Sequence, residues 1–300
     1  MPIPPSAAPV SVVLASKGRP EVLGETLESI GRQTLPPGKI VVVVPSARDL
    51  PENAEKTGAE IIIGPQGLTA QRNAGIRAVP ATTPYVAFFD DDFEPRADFL
   101  ERAVAFLESN LSVVGLSGME PAEHGTVSRE EARRMIAGHR DPGGIFVDRG
   151  RHFVLYGCNM VIRRAALEQE AFDENLPLYA YGEDYEMAMR LLRHGRIGRL
   201  HGCVGVHLLT TGGRVREVQR AYSQVANNWY FLRRGTVHLP EPWATIRFWA
   251  ICAGKPTLLA GWNVLKRNRA ADWPERLRGN LLAIRDIFTG RSHPRRILEL

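Results

Sequence analysis

The sequence predicts an α/β protein, with a mostly parallel central sheet flanked by helices and a helical appendage at its C-terminal end. Three observations predict it. In the first half, short apolar β-branched runs alternate with helical periods, the pattern of βαβ units. From about residue 215 the period is helical only. The 300 residues, 44% hydrophobic and 24% charged, have the composition of a globular chain and the length for one large domain with an attachment.

Each element can be justified in turn. "VSVVLA" (10 to 15) is an apolar strand, and the helix after it opens at Pro20 with Val22, Leu23, Leu27 and Ile30 on one face. "KIVVVVP" (39 to 45) and "AEIIIG" (59 to 64) are strands two and three. "LTAQRNAGIRAV" reads as a helix, "YVAFFD" (85 to 90) as the fourth strand, "ADFLERAVAFLESN" as an amphipathic helix and "SVVGLSG" as a strand. Residues 120 to 150 are polar and contain "DPGG", which predicts a mobile excursion of the kind that closes over ligands. "FVLYGCNMVIRRAAL" predicts a strand pair leading into a helix, and "GEDYEMAMRLLRHG" a helix ended by Gly195. The expected division is 1–214 for the α/β domain and 215–300 for the basic helical region.

Charge is uneven. From Arg214 onward there are 16 Lys and Arg against 6 Asp and Glu, a net of +10, so the first 213 residues carry −5. A basic C-terminal region faces either solvent or an anionic partner. "WATIRFWAICAGKPTLLAGWNVLKR" (243 to 267) is interrupted by Arg247 and by Lys255-Pro256, which argues against a membrane span and leaves an interfacial segment or a packed helical pair. Its aromatics cluster with aliphatic residues rather than alternating with Arg, so no nucleic-acid partner is expected. Cys158, Cys203 and Cys252 are odd in number and widely spaced with no CxxC pair, which argues against a disulfide framework or a zinc site and fits a reducing cytoplasm; no signal peptide is read at the N-terminus.

The chemistry concentrates in "FFDDDFEP". Three adjacent carboxylates repel one another unless a cation sits among them. Alternation along an extended chain puts Asp90 and Asp92 on one side and Asp91 on the other. Two hard carboxylates beyond the carboxyl end of a strand suit Mg²⁺ or Mn²⁺ carrying phosphate oxygens; the plainer alternative is an Asp-rich turn. Glu183 and Asp184 open a helix about ninety residues later, where the helix dipole favours anions whatever their role.

"VVLASKGRP", "QRNAGI", "FFDDDFEP", "GCNMVIRR" and "YGEDYEMAMRL" occur in an order and spacing that resemble the family 2 glycosyltransferases, whose fold is the Rossmann-like GT-A fold. The likeness spans roughly residues 10 to 235, and "TTGGRVREVQRAYSQVANNWYFLRRGTV" is similar to bacterial members that build surface polysaccharides or glycolipids. The resemblance implies a nucleotide-diphosphate-sugar donor, UDP favoured, bridged through Mn²⁺ or Mg²⁺ to Asp90 and Asp92. Asp91 would lie near the ribose or sugar. Asp184 would be the general base toward a hydroxyl of a glycan or lipid-linked acceptor, with Glu183 holding substrate and configuration inverted at the anomeric carbon. Ala15, Ser16 and Lys17 would border the nucleotide, with Lys17 either on phosphate or solvated. Arg72 would approach the donor or be a helix-surface residue, and Asn159 would meet sugar or acceptor or serve only the strand backbone. His207 would be a further metal ligand, a phosphate contact or structural.

The family's acidic residue after the second strand is absent from "VVVVPSARDLP", where Asp49 is the nearby acid. A nucleotidyltransferase would share the acidic metal site but release pyrophosphate, and "ASKGRP" is a poor phosphate loop for it. A non-catalytic scaffold of a glycan assembly complex would have no use for Asp184. The resemblance thus implies an enzyme on the cytoplasmic side; peripheral membrane contact through the C-terminal region is expected if the segment 243 to 267 is interfacial rather than a packed helical pair.

Overall fold

The computed structural model describes residues 8–52, 54–121, 125–140, 143, 146–148, 155–210, 212, 215–237, 239–268 and 272–300. It divides into two compact units, Met1–Phe172 with Arg190–Gly213, and Asp173–Met189 with Arg214–Leu300. The segment carrying Glu183 and Asp184 therefore belongs to the helical unit, which reaches back across the expected division at 214.

The first unit opens with β1 (Val10–Ala15), α1 (Pro20–Gly31), β2 (Lys39–Val44), β3 (Glu60–Ile63), α2 (Leu68–Ala78) and β4 (Tyr85–Asp90). These four strands run parallel in the order β3-β2-β1-β4. Val10, Val12, Leu14, Val42 and Val44 fill one core with Leu23, Leu27 and Ile30 of α1, as the apolar pattern requires. Then come β5 (Phe93–Pro95), α3 (Phe99–Ser109), β6 (Val113–Met119), α4 (Arg129–Gly138), β7 (Phe146–Asp148), β8 (Asn159–Arg163) and the short α5 (Arg164–Leu167). Of the strand pair expected at 153 to 163, residues 153 and 154 lie outside the described residues, and 155–158 are irregular.

The sheet continues past β4 as β8-β6-β9-β5, where β9 (Arg196–His207) is a 12-residue strand with β7 on its flank. Here the pairing is mixed: β4–β8, β6–β8, β5–β9 and β7–β9 are antiparallel, whereas β6–β9 is parallel. The pairing of Phe93 with His207 brings the end of β9 back to the aspartates. That approach depends on Gly205, where a Cβ would stand 2.2 Å from the Phe93 ring and 2.9 Å from the Glu94 carbonyl oxygen. Gly205→Ala is expected to cost about 1–3 kcal/mol through overpacking, measured by chemical denaturation; wild-type stability would show that the strands separate freely.

Residues 120 to 150, expected as a mobile excursion, hold an anchored helix. Ala132 and Ile136 of α4 pack on Val204, Val206 and Leu208, while Arg129 is buried against Glu94. Two of its arginines, Arg129 and Arg133, pair inward with Glu94, which the polar composition does not reveal.

The second unit comprises the first part of α6 (Glu183–Leu191), α7 (Glu217–Arg233), α8 (Trp243–Arg247), a π-helical turn (Phe248–Gly254), α9 (Lys255–Leu265) and α10 (Trp273–Phe288). Tyr222, Val225, Ala226, Phe248, Ala253, Ala283 and Ile297 form its core. Among the described residues no helix is long and apolar enough to cross a membrane.

Candidate active site

The carboxyl ends of β1, β2 and β4 are tied together by a helix whose sequence is polar yet buried. On α2, Gln71 Nε2 donates to the carbonyls of Ser16 (3.0 Å) and Val43 (2.8 Å), and Arg72 donates to Asp90 (3.2 Å) and the Gly157 carbonyl (2.8 Å). Arg72 is 2% exposed and stacks on Phe172, so it is not a helix-surface residue. Buried polar groups in such numbers are stable only because each meets a partner.

The three aspartates separate by direction. Asp91 is buried, accepts from Ser16 Oγ (2.6 Å) and lies 3.4 Å from Arg19. Burial, against the opposing pull of Arg19 and Ser16, pushes its carboxyl up to about 7. Asp92 accepts from Arg19 Nη1 (2.9 Å), from the Thr210 backbone N–H (2.9 Å) and hydroxyl (2.8 Å), and pairs with His207 Nε2 (2.9 Å). Burial would raise its pKa, but the His207 hydrogen bond and charge, then Arg19, outweigh burial and hold it well below the usual range. His207 is pushed up to about 12: burial lowers it, and the bonds to Asp92 and Cys158 more than reverse that.

The ligand atoms of Asp90, Asp92 and His207 lie within 4.8 Å of one another, so the two aspartates and the distant histidine converge on one point. Two carboxylate oxygens and, once a cation displaces the proton His207 shares with Asp92, an imidazole nitrogen are a donor set that fits a hard-to-borderline divalent cation. Glu120 and Cys158 also reach His207, with the Cys158 thiol pushed up to about 11 by burial.

The remaining expected residues are placed as follows. Ser16 is buried on Asp91, Ala15 is partly exposed and Lys17 is exposed. Asn159 accepts the Gly118 N–H on Oδ1 (3.0 Å), while its buried Nδ2 has no partner among the described residues. Asp49 accepts the Gly18 N–H on Oδ1 (2.7 Å) and the Ser46 hydroxyl on Oδ2 (2.8 Å), holding two loops together.

Glu183 is buried and accepts the Asp184 N–H; Asp184 is half-buried and accepts the Tyr185 N–H (2.8 Å). The loop ahead of them is strained: Leu178 (φ 57°) and Ala180 (φ 52°) are left-handed without being glycine, and Gly182 (φ 79°) completes the turn. Asn227 of α7 braces it by donating to the Tyr181 carbonyl (2.9 Å). Strain held in place by packing is typical of functional loops.

Arg19 and Thr210 escape a reading of the sequence. Lys17 drew attention in "ASKGRP", but Arg19, directly ahead of the helix-opening Pro20, supplies the cation among the aspartates. Its partners are 72 and 73 residues away, a distance at which spacing carries no signal.

The description "Glycosyl transferase family 2" matches residues 11–170. No curated protein matches the chain. Among solved structures it is similar to the mannosyltransferase PcManGT of Pyrobaculum calidifontis in complex with GDP-Man and Mn²⁺, at 16% identity, TM-score 0.55, covering 95% of this chain and 89% of that one. TarS 1–349 of S. aureus, in complex with UDP-GlcNAc, is 14% identical, TM-score 0.56, with 94% and 83% covered. Glucosyl-3-phosphoglycerate synthase of Mycobacterium tuberculosis, in complex with Mn²⁺, UDP-Glc and phosphoglyceric acid, is 17% identical, TM-score 0.53, with 79% and 82% covered. With this fold, and with a family model spanning more than half its length, the chain belongs to glycosyl transferase family 2 and is a glycosyltransferase.

Proposed function

We propose that the protein is an inverting, metal-dependent glycosyltransferase that moves a sugar from a nucleoside-diphosphate donor, UDP-linked in the first instance, to a hydroxyl of a glycan or lipid-linked acceptor in surface-glycan synthesis. The observation that carries the reading is the convergence of Asp90, Asp92 and His207 on one point at the carboxyl end of β4. The nucleotide sugars in the three neighbours above, two of them with Mn²⁺, support it.

In this reading Asp90, Asp92 and His207 hold Mn²⁺ or Mg²⁺. The cation supplies countercharge for a diphosphate leaving group. Ser16 and the backbone of Ala15 and Lys17 border the nucleotide, and Arg72, by its bond to Asp90, keeps that carboxylate aimed. Asn159, whose buried Nδ2 has no partner among the described residues, is the strand residue this reading assigns to the sugar or acceptor. Asp184 takes the acceptor hydroxyl proton as the new oxygen–carbon bond forms and the bond from carbon to the diphosphate oxygen breaks.

Thermal unfolding of the full chain with UDP, GDP, dTDP or CMP, each with and without Mn²⁺, tests this. One diphosphate at 100 times its Kd should add about 2.7 kcal/mol, several degrees in Tm, only when Mn²⁺ is present. Asp92→Ala should abolish that shift. A folded protein that none of the four stabilises would remove the donor reading.

A further inference from the structure

Residues 243 to 265 run continuously through α8, the π-helical turn and α9. One side of this rod is buried through Ala244, Phe248, Ala253 and Ala260. A helix packed on one side ordinarily shows water a polar second side. This one shows Trp243 (64% exposed), Ile246 (53%), Ile251 (52%), Leu258 (75%), Trp262 (57%) and Leu265 (79%). Single exposed apolar residues are ordinary, but a row of six along one rod marks a docking surface.

Charge selects what docks. Between 243 and 268 there is no Asp or Glu, whereas Arg247, Lys255, Lys266 and Arg267 are all present and exposed. Lys266 Nζ lies 4.6 Å over the Trp262 ring, an apolar plate beside a cation. A groove of about 590 Å³ lies beside the rod, lined by Val264, Leu277, Leu281 and Leu282 with Arg278 and Arg285. A second copy in a two-fold contact would set this uniformly cationic row against itself. A layer of anionic headgroups over acyl chains complements both the charge and the apolar row.

We infer that this face docks on an anionic phospholipid bilayer, the rod lying in the interfacial plane with Trp243 and Trp262 at headgroup level. The inference deepens the lipid-linked-acceptor part of the proposed function and is measured without catalysis. Flotation of the full chain with phosphatidylcholine vesicles, with and without about 30% phosphatidylglycerol, should recover at least tenfold more protein on the anionic vesicles. Leu258→Glu/Trp262→Glu, at two exposed positions, should fold normally and lose about tenfold or more of that binding. Lys255→Gln/Lys266→Gln should lose about 30-fold at low salt.

Equal recovery on neutral vesicles, or full binding by the glutamate variant, would overturn the inference. A concentration-dependent dimer that the glutamate variant abolishes would give the face to a second copy instead. Asp184→Asn should float like the wild type, so a failure of the transfer reading and a failure of docking are told apart.

Discussion

Asp184→Asn is expected to lower kcat by about 10²- to 10⁴-fold while leaving Mn²⁺-dependent nucleoside diphosphate stabilisation at the wild-type value. The substitution keeps the shape and the acceptor for the Tyr185 N–H, and removes only the capacity to take a proton. Loss of transfer together with loss of nucleotide binding would mean that the strained loop has collapsed. Full transfer activity would remove Asp184 as the base. A companion, Ala180→Gly, relaxes one left-handed residue and separates loop geometry from proton transfer.

Arg129→Met is expected to destabilise the first unit by about 3–5 kcal/mol, because it strands a buried carboxylate. Glu94 is 4% exposed and is held by Arg129, by Arg133 Nε (2.7 Å) and by Ser29 Oγ (2.7 Å). Arg129 also donates to Glu25 (2.9 Å) and Thr26 (2.9 Å) of α1, so one guanidinium links three elements. Burial would raise the Glu94 pKa, and the bonds from Arg133, Ser29 and Arg129 lower it overall. Its contribution is therefore complete above the ordinary carboxylate value of 4.5 and lost as pH falls through the lowered folded value. Arg133→Ala, at a half-exposed partner, should cost about 1 kcal/mol or less. A fall in Tm of roughly 10 °C for Arg129→Met is the expected readout. A change no larger than that of Arg133→Ala would show that the network contributes no stability.

These two substitutions also mark the limits of what could be read from the sequence. The parallel strands were legible because "VSVVLA", "KIVVVV" and "YVAFFD" are continuous apolar runs with no other use. The strand Arg196–His207 was not, because Gly198, Gly202 and Gly205 and its basic residues break both the run and the alternation. What makes it a strand is its neighbours, Phe93 above all, which occupies the space that Gly205 vacates. The aspartate cluster was visible as unpaired charge, but its protein cation, Arg19, was hidden by distance along the chain. Arg129 was hidden by composition: "SREEARR" reads as solvated, and only the burial of Glu94 reverses that.

The π-helical turn at Phe248–Gly254 has one last consequence. A π turn takes up a residue more than the α turn it replaces, so it behaves as a tolerated one-residue insertion. Excising the exposed Ala250 would let the rod close into an uninterrupted α-helix and leave everything after the cut at its present azimuth, because the lost residue and the lost widening of the turn cancel. Ala260 would then stay in the core, and Leu258 and Trp262 would keep the azimuth they share with Trp243 and Ile246. Removing one residue from Lys255–Leu265 instead, with the turn intact, would dephase the two halves by about 100°. The turn is thus a phase corrector, and one residue of chain length decides whether the rod has one outer face or two.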